Sequence, residues 1–188
     1  MRAFFCIPIA DDHCAMLEQT ADRLRSATRM KASWVPRQNY HITLRFLGDI
    51  REGSIRDLEE ASRVASQTVA PFYCVLDRVD AFPSVERARV LWVGSEAPSA
   101  FQCLSDGLSK GLLDLGFPQA KRDSMVHATL ARIKDRPDPA LPNVISDLNP
   151  IEPLSVSVDR IVLMESVLTG RGAVYTPRFT TRLVAAQP

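Results

Sequence analysis

Long apolar runs are missing from this chain. No stretch approaches the roughly 20 residues that a membrane-spanning helix needs, and the opening Met1-Arg-Ala-Phe-Phe-Cys-Ile-Pro-Ile-Ala10 is broken by Pro8 and by Asp11-Asp12. That segment is too short for a secretory leader and reads as a buried first strand. A charge of one sign is missing too. The 23 Lys plus Arg against 22 Asp plus Glu leave a formal net charge of +1, which excludes a uniformly basic, nucleic-acid-coating surface. Cys6, Cys14, Cys74 and Cys103 have no CxxC or metal-ligand spacing, so reduced thiols and a cytoplasmic protein are expected. A GxSxG elbow, an HExxH and a P-loop are all lacking, which removes the most legible serine-hydrolase, zinc-protease and nucleotide-triphosphatase chemistries. Histidine is scarce, with 3 in 188 residues.

What is present is organised around two of those three. His41-Ile-Thr-Leu-Arg-Phe-Leu-Gly48 returns in degenerate form as His127-Ala-Thr-Leu-Ala-Arg-Ile133. In a strand, residues i and i+2 share a face, so His41 points with Thr43 and His127 with Thr129. The offset, 127 − 41 = 86 residues, is close to half the chain. It suggests an internal duplication that supplies one imidazole from each half. The remaining His13 is read as structural. With 46% hydrophobic and 24% charged residues the chain has an ordinary globular composition and suffices for one well-filled core, a single domain over 1–188. Basic residues bunch near the copies: Arg29, Lys31 and Arg37 before the first, Lys121 and Arg122 before the second, Arg132, Lys134 and Arg136 after it.

Periodicity sets the elements. Residues 2–9 read as a strand. Asp11 or Asp12 caps a helix with Leu17, Ala21 and Leu24 inward. Trp34-Val35-Pro36 and Asn39 lead in extended form to the first copy, a strand ending at Gly48-Asp49. Ser54 begins a helix with Ile55, Leu58, Ala61 and Ala65 along one side. A strand is expected over 72–79, another over 88–93, with a hairpin loop from Pro83 to Arg87. Ser99 and Gln102 have capping-box spacing ahead of Phe101, Leu104, Leu108, Leu112 and Leu115, with Gly116 as C-cap and Pro118 as stop. The second copy is a strand, 136–142 a loop and 143–148 a helical turn. Alternation over 154–163 predicts a strand. Residues 169–172 form a turn, 173–184 return as the last strands interrupted by Pro177, and the tail from Ala185 frays. Mixed helices and strands with hairpin connections argue for α+β with antiparallel sheets.

Two imidazoles on one cleft suit acid–base chemistry near neutral pH, because an unperturbed histidine titrates at about 6.5. In-line attack at phosphorus needs a base for the nucleophile on one side and an acid for the leaving oxygen on the other. The Thr43 and Thr129 hydroxyls can donate to the non-bridging oxygens, where charge builds. Two histidines without an acidic cluster make a poor metal site, so no metal is expected.

Asn39-Tyr-His-Ile-Thr-Leu-Arg-Phe-Leu-Gly48, His127-Ala-Thr-Leu-Ala-Arg132, the Met1-Arg-Ala-Phe-Phe5 strand, and Leu163-Met-Glu-Ser-Val-Leu168 with Gly172-Ala-Val-Tyr175 resemble the two-histidine phosphoesterase superfamily. Within it they are most similar to the RNA 2′,3′-cyclic phosphodiesterases, also called 2′-5′ RNA ligases. The resemblance implies a bilobal α+β fold, two pseudo-symmetric lobes of antiparallel sheet with helices outside and a central catalytic cleft. It implies hydrolysis of an RNA 2′,3′-cyclic phosphate to a 2′-phosphomonoester without cofactor, with His41 as proton donor to the 3′ oxygen and His127 as proton acceptor for water. With roles swapped, the reverse reaction would join ends through a 2′-5′ bond. RNA ends or small cyclic-phosphate nucleotides are the implied partners; no membrane and no protein partner are implied, and a monomer is expected. Two positions depart from regularity. Val126 stands where the family usually has Pro. Arg132 matches the family's phosphate-holding arginine, yet by strict alternation five residues after His127 it would face the other way. Either the strand ends or bulges there, or Arg132 is structural. Arg45, by the same alternation, shares the face of His41 and Thr43. A same-fold enzyme on a small cyclic nucleotide or ADP-ribose derivative is an alternative. A non-catalytic RNA-end-binding module is another, disfavoured because binding alone gives no reason to oppose two titratable rings.

Overall fold

The computed structural model describes residues 1–119, 125–170 and 172–184. Lys121, Arg122, Arg171 of the expected turn and the 185–188 tail lie outside the described residues. The chain runs β1 (Arg2–Pro8), α1 (Asp11–Ala27), β2 (Ala32–Trp34), β3 (His41–Asp49), α2 (Ile55–Ser66), β4 (Phe72–Leu76), β5 (Arg78–Phe82), β6 (Val90–Glu96), α3 (Ser99–Asp114), β7 (Met125–Ile133), α4 (Leu141–Leu148), β8 (Leu154–Val158), β9 (Arg160–Thr169) and β10 (Gly172–Arg182). Eight strands form one sheet in the order β10-β9-β1-β3-β7-β6-β5, with β2 beside β7, while β4 and β8 form a separate ribbon. The ladders among the described strands are antiparallel, so the fold is α+β.

The apolar spacing acts as expected in the helices. Leu17, Ala21 and Leu24 of α1, Leu58, Ala61 and Ala65 of α2, and Phe101, Leu104, Leu108 and Leu112 of α3 are buried. Most of them join one core cluster with Ile42 and Leu44 of β3 and Ala128 and Leu130 of β7. The helices therefore cover one face of the sheet and leave the other to the cleft. Their starts differ from expectation. Ala10 is the N-cap of α1 and Pro98 that of α3, neither with a side-chain cap. Asp11 and Asp12 fall in the first turn, where their charge still favours the helix dipole. Gly116 does terminate α3, at φ 83°, letting the Phe117 amide reach back to the Leu112 carbonyl at 3.0 Å. Leu115 is part-exposed instead of buried.

Two stretches expected as single strands are each two. The 72–79 run divides at Asp77 into β4 and β5, and the 154–163 run at Asp159 into β8 and β9. The two breaks are equivalent, with 159 − 77 = 82. They turn β4 and β8 out of the main sheet to pair with each other, centred on Cys74↔Val156, and 156 − 74 is again 82. β5 then pairs with β6 and β9 with β1, so each half of the chain lends the strand after its break to the other half's sheet. Among the described strands only β5–β6 and β9–β10 are hairpins; the other sheet neighbours are reached across helices. The two halves meet where β3 pairs β7 through Ile42↔Ala128, and 128 − 42 = 86, the offset of the histidines. A pseudo-two-fold axis thus passes between two equivalent pairs of residues.

Candidate active site

The axis decides what faces what. Continuing the Ile42↔Ala128 pairing by one residue in each direction sets His41 opposite Thr129 and Thr43 opposite His127. Ile42 and Ala128 are fully buried on the helix side, so these four side chains share the opposite face. Directly opposed residues stand about 5 Å apart at Cβ and diagonal ones about 7–8 Å. The two imidazoles occupy a diagonal, leaving room between them for one tetrahedral group.

Both copies carry a bulge at the leucine after the threonine. Phe5 pairs with Arg45 but Cys6 with Thr43, making Leu44 the extra residue of β3. Leu91 pairs with Ala131 but Trp92 with Thr129, making Leu130 the extra residue of β7. A bulge resets the alternation. In β7, Leu130 and Ala131 are consecutively buried and Arg132 is exposed. Arg132 therefore returns to the cleft face with His127 and Thr129, which decides among the alternatives left open by its five-residue offset. In β3 the same reset overturns the expectation for Arg45. Its guanidinium donates to the Pro118 carbonyl after α3, and Phe46, 62% exposed, faces the cleft in its place beside Phe4. Phe46 and Arg132 are pseudo-equivalent, since 132 − 46 = 86, so the cleft is aromatic at one position and cationic at the other.

Each imidazole has an aromatic wall. His41 lies 4.9 Å from Phe4 and edge-on to Tyr175 at 5.4 Å. His127 lies edge-on to Phe82 at 5.0 Å and 6.0 Å from Trp92, which stacks on Phe82. Trp92 on β6 corresponds to Cys6 on β1, since the two pair with Thr129 and Thr43, so the two aromatic walls are built from different positions. The His41 Nδ1–H donates to the Asn39 carbonyl at 2.7 Å, and Nε2 sits 3.2 Å from the Thr43 hydroxyl. A carbonyl can only accept, so the tautomer is set and Nε2 is the nitrogen presented for proton transfer. The Asn39 side chain in turn donates to the Ala173 carbonyl of β10 at 2.8 Å, which fixes the turn that holds the ring. Burial holds the His41 pKa below its ordinary value. The bond to Asn39 opposes this, and the nearby His127 and Arg132 add to it. His13 lies in the first turn of α1 and lines neither of the cavities beside His41.

Asn39, Tyr175 and Gly94 were not legible as site residues. Asn39 and Tyr175 fell inside recognisable segments but needed the β10 neighbour to acquire a role. Gly94 pairs with His127, and a Cβ there would collide with the Val126 carbonyl and meet the His127 Cα and Cβ at 3.0 Å. A glycine inside a strand signals such a close approach. Gly94→Ala should push β7 outward at His127, destabilising the protein by about 1–3 kcal/mol and lowering kcat/KM roughly tenfold, given that ~1 Å of misplacement can cost about 10²-fold. Thermal unfolding and steady-state rates check this, and wild-type values in both would show the approach to be immaterial.

A cavity of about 780 Å³ opens on the His41 side, lined by Phe4, Phe46, Tyr175, Arg132, Lys134 and Ser166 among others. A second, of about 360 Å³, reaches His41 itself between Tyr40, Met164 and Tyr175. Among the described residues no group of three or more His, Cys, Asp or Glu is placed to hold a metal ion, and no helix is long and apolar enough to cross a membrane.

Comparison with known proteins agrees with this duplicated architecture. The sequence profile described as LigT like Phosphoesterase matches twice, over residues 7–92 and 94–175, once on each half. A Methanothermobacter thermautotrophicus protein named RNA 2′,3′-cyclic phosphodiesterase is 32% identical over 187 residues, covering 97% of this chain and 99% of that protein. A protein of the same name from Aeropyrum pernix is 33% identical over 169 residues, covering 87% and 95%. Among solved structures, one from Thermus thermophilus superposes with a TM-score of 0.80 at 27% identity, covering 97% of this chain and 98% of that one. The fold is also that of Escherichia coli LigT crystallised with 3′-AMP, TM-score 0.74 at 23% identity over 98% of both chains. With one profile match per half, on strands that meet at a two-fold seam, the chain belongs to the LigT-like phosphoesterase family.

Proposed function

We propose that the protein hydrolyses RNA 2′,3′-cyclic phosphate ends to 2′-phosphomonoesters, with His41 as proton donor and His127 as proton acceptor. The observation that carries the reading is the diagonal of two imidazoles across one seam, each beside a threonine of the other strand. Water attacks phosphorus opposite O3′, His127 takes its proton, and the P–O3′ bond breaks as His41 Nε2 protonates the leaving oxygen. The phosphate stays on O2′, and solvent exchange resets both rings. Thr43 and Thr129 donate to the non-bridging oxygens, and Arg132 balances their charge.

The assignment of acid and base follows from where the nucleoside can sit. The leaving oxygen remains part of the ribose, so the nucleoside lies on the acid's side. The large cavity with its aromatic residues Phe4, Phe46 and Tyr175 adjoins His41. A 5′-hydroxyl in place of water would yield a 2′-5′ phosphodiester with the same donor and acceptor, because O3′ still leaves; the swap of roles expected from the sequence applies only to cleavage of that bond back to the cyclic phosphate. The reaction as drawn uses no metal or cofactor. The names of the curated relatives favour an RNA substrate. The unpaired cysteines, with Cys6 and Cys74 pushed up to about 12 by burial and so inert, support a cytoplasmic protein.

An oligonucleotide ending in a 2′,3′-cyclic phosphate, incubated with the protein in EDTA, tests the reading by the position of the surviving phosphate. A 2′-phosphate product is expected. A 3′-phosphate would reverse the leaving group, and turnover abolished by EDTA would replace the acid–base pair with a metal mechanism.

A further inference from the structure

We infer that a second cavity, at the far end of β7, binds a nucleotide upstream of the cyclic phosphate in the same RNA strand; this rests on the RNA substrate proposed above. The cavity, of about 720 Å³, lies between the β5–β6 loop and the β7–α4 loop, with Arg87, Arg89 and Arg136 on its rim and Pro83, Pro137 and Pro142 among its walls. All three arginines are exposed. Among the described residues the Arg87 and Arg136 side chains make no salt bridge or hydrogen bond, and the Arg89 side chain makes only a hydrogen bond to the Asp135 carbonyl at 3.1 Å.

Two carboxylates also line this cavity, Glu86 and Asp138. Both are engaged locally. Asp138 accepts from the Arg29 and Ala140 amides at 2.6 and 2.8 Å, and Glu86 is held by its own backbone and Ser84. Neither forms a salt bridge to a rim arginine, although the Arg87 charge also favours the Glu86 carboxylate. The cations are thus available to an anion from outside, while the carboxylate charge is drawn toward backbone donors.

The cavity adjoins the catalytic side through neighbouring residues. Arg132 on the cleft face pairs with Val90, and Arg89 immediately precedes Val90, its carbonyl accepting from the Ile133 amide at 2.9 Å. In the loop that follows β7, Lys134 lines the catalytic-side cavity and Arg136 the second one. From Arg132 to Arg136 is four residues, at most about 13 Å, with Lys134 between and a bend at 134–135. A row of exposed cations along a backbone, ending in a pocket of rigid apolar rings and guanidinium planes, is what a single-stranded polynucleotide requires: charge for its phosphates and a flat surface for a base. A mononucleotide bound at His41 would not reach it.

The test compares two substrates, adenosine 2′,3′-cyclic phosphate and a hexanucleotide ending in a 2′,3′-cyclic phosphate, on the wild type and on the Arg87→Ala/Arg136→Ala variant. Both side chains are exposed and, among the described residues, make no salt bridge or hydrogen bond, so the variant retains the fold. The expected result is a roughly tenfold loss of kcat/KM on the hexanucleotide, with the mononucleotide within twofold of wild type. Equal effects on both substrates, or none on either, would overturn the subsite. Should the wild type turn over neither substrate, the catalytic reading is what fails, and binding of a 2′-phosphate hexanucleotide still decides the subsite. Two lost phosphate contacts should reduce the slope of log affinity against log salt by about 1.4, and an unchanged slope would overturn it.

Discussion

His41→Ala and His127→Ala should each lower kcat/KM on a 2′,3′-cyclic-phosphate end by about 10²–10⁴-fold, because each removes one proton transfer from the same displacement. The double variant should lose little more than the worse single, since an acid without its base no longer supports a concerted reaction. Neither substitution should unfold the protein. His41 stands against the small Phe4–Cys6–Val162 cluster, apart from the main core. Retained turnover in either single variant would remove the paired-imidazole mechanism.

The pH profile carries a sign of its own. In the free enzyme, burial lowers the His41 pKa from 6.5, so the protonated acid is lost as pH rises through a value below 6.5. The alkaline limb of kcat/KM, which reports the free enzyme, should therefore lie below 6.5. The limb of kcat should lie higher, because a bound phosphate anion between the rings favours the imidazolium. The stability consequence has the matching direction. A histidine with a depressed folded pKa contributes fully above the unfolded value, and that contribution is lost as pH falls through the folded pKa. His41→Ala should flatten this acid-side loss in unfolding midpoints measured against pH. An alkaline limb of kcat/KM above 6.5 would contradict the assignment of His41 as donor.

Arg132→Ala is the next largest expected effect, about 10²–10³-fold in kcat, the scale on which one preorganised donor to developing oxyanion charge is felt. The bulge at Leu130 makes this expectation specific. Without it Arg132 would lie among the helix-side residues, and its removal would alter stability instead of rate. Arg132→Lys should recover part of the rate, keeping the charge while losing the planar fork. Phe46 gives the internal control, because it occupies the equivalent place across the axis and carries no charge. Phe46→Ala should raise KM with kcat nearly unchanged, as expected for a wall that contacts the nucleoside equally in ground and transition states. An Arg132→Ala variant with wild-type kcat and a lowered unfolding midpoint would return the arginine to a structural role.

Much of the site was legible because it follows from local rules. Period-two alternation places His41 with Thr43 and His127 with Thr129 whatever the strands pair with, and the 86-residue offset says that the two are copies. The inward leucines of α1, α2 and α3 were equally readable, and with them the α+β class.

What escaped the sequence depended on partners. Whether Leu44 and Leu130 are bulged is a property of how β1 meets β3 and β6 meets β7, and no residue in either strand states it alone. The same holds for the breaks at Asp77 and Asp159, which look like interruptions of one strand until β4 and β8 are seen paired with each other. Asn39 became the keeper of the His41 tautomer only because β10 supplies its acceptor, and Gly94 matters only because β7 runs close against it. The amino-acid order by itself determined which side chains travel together along a strand. The tertiary structure alone decided which strands oppose one another, because register depends on two chain segments at once, and a bulge in that register reverses every face beyond it.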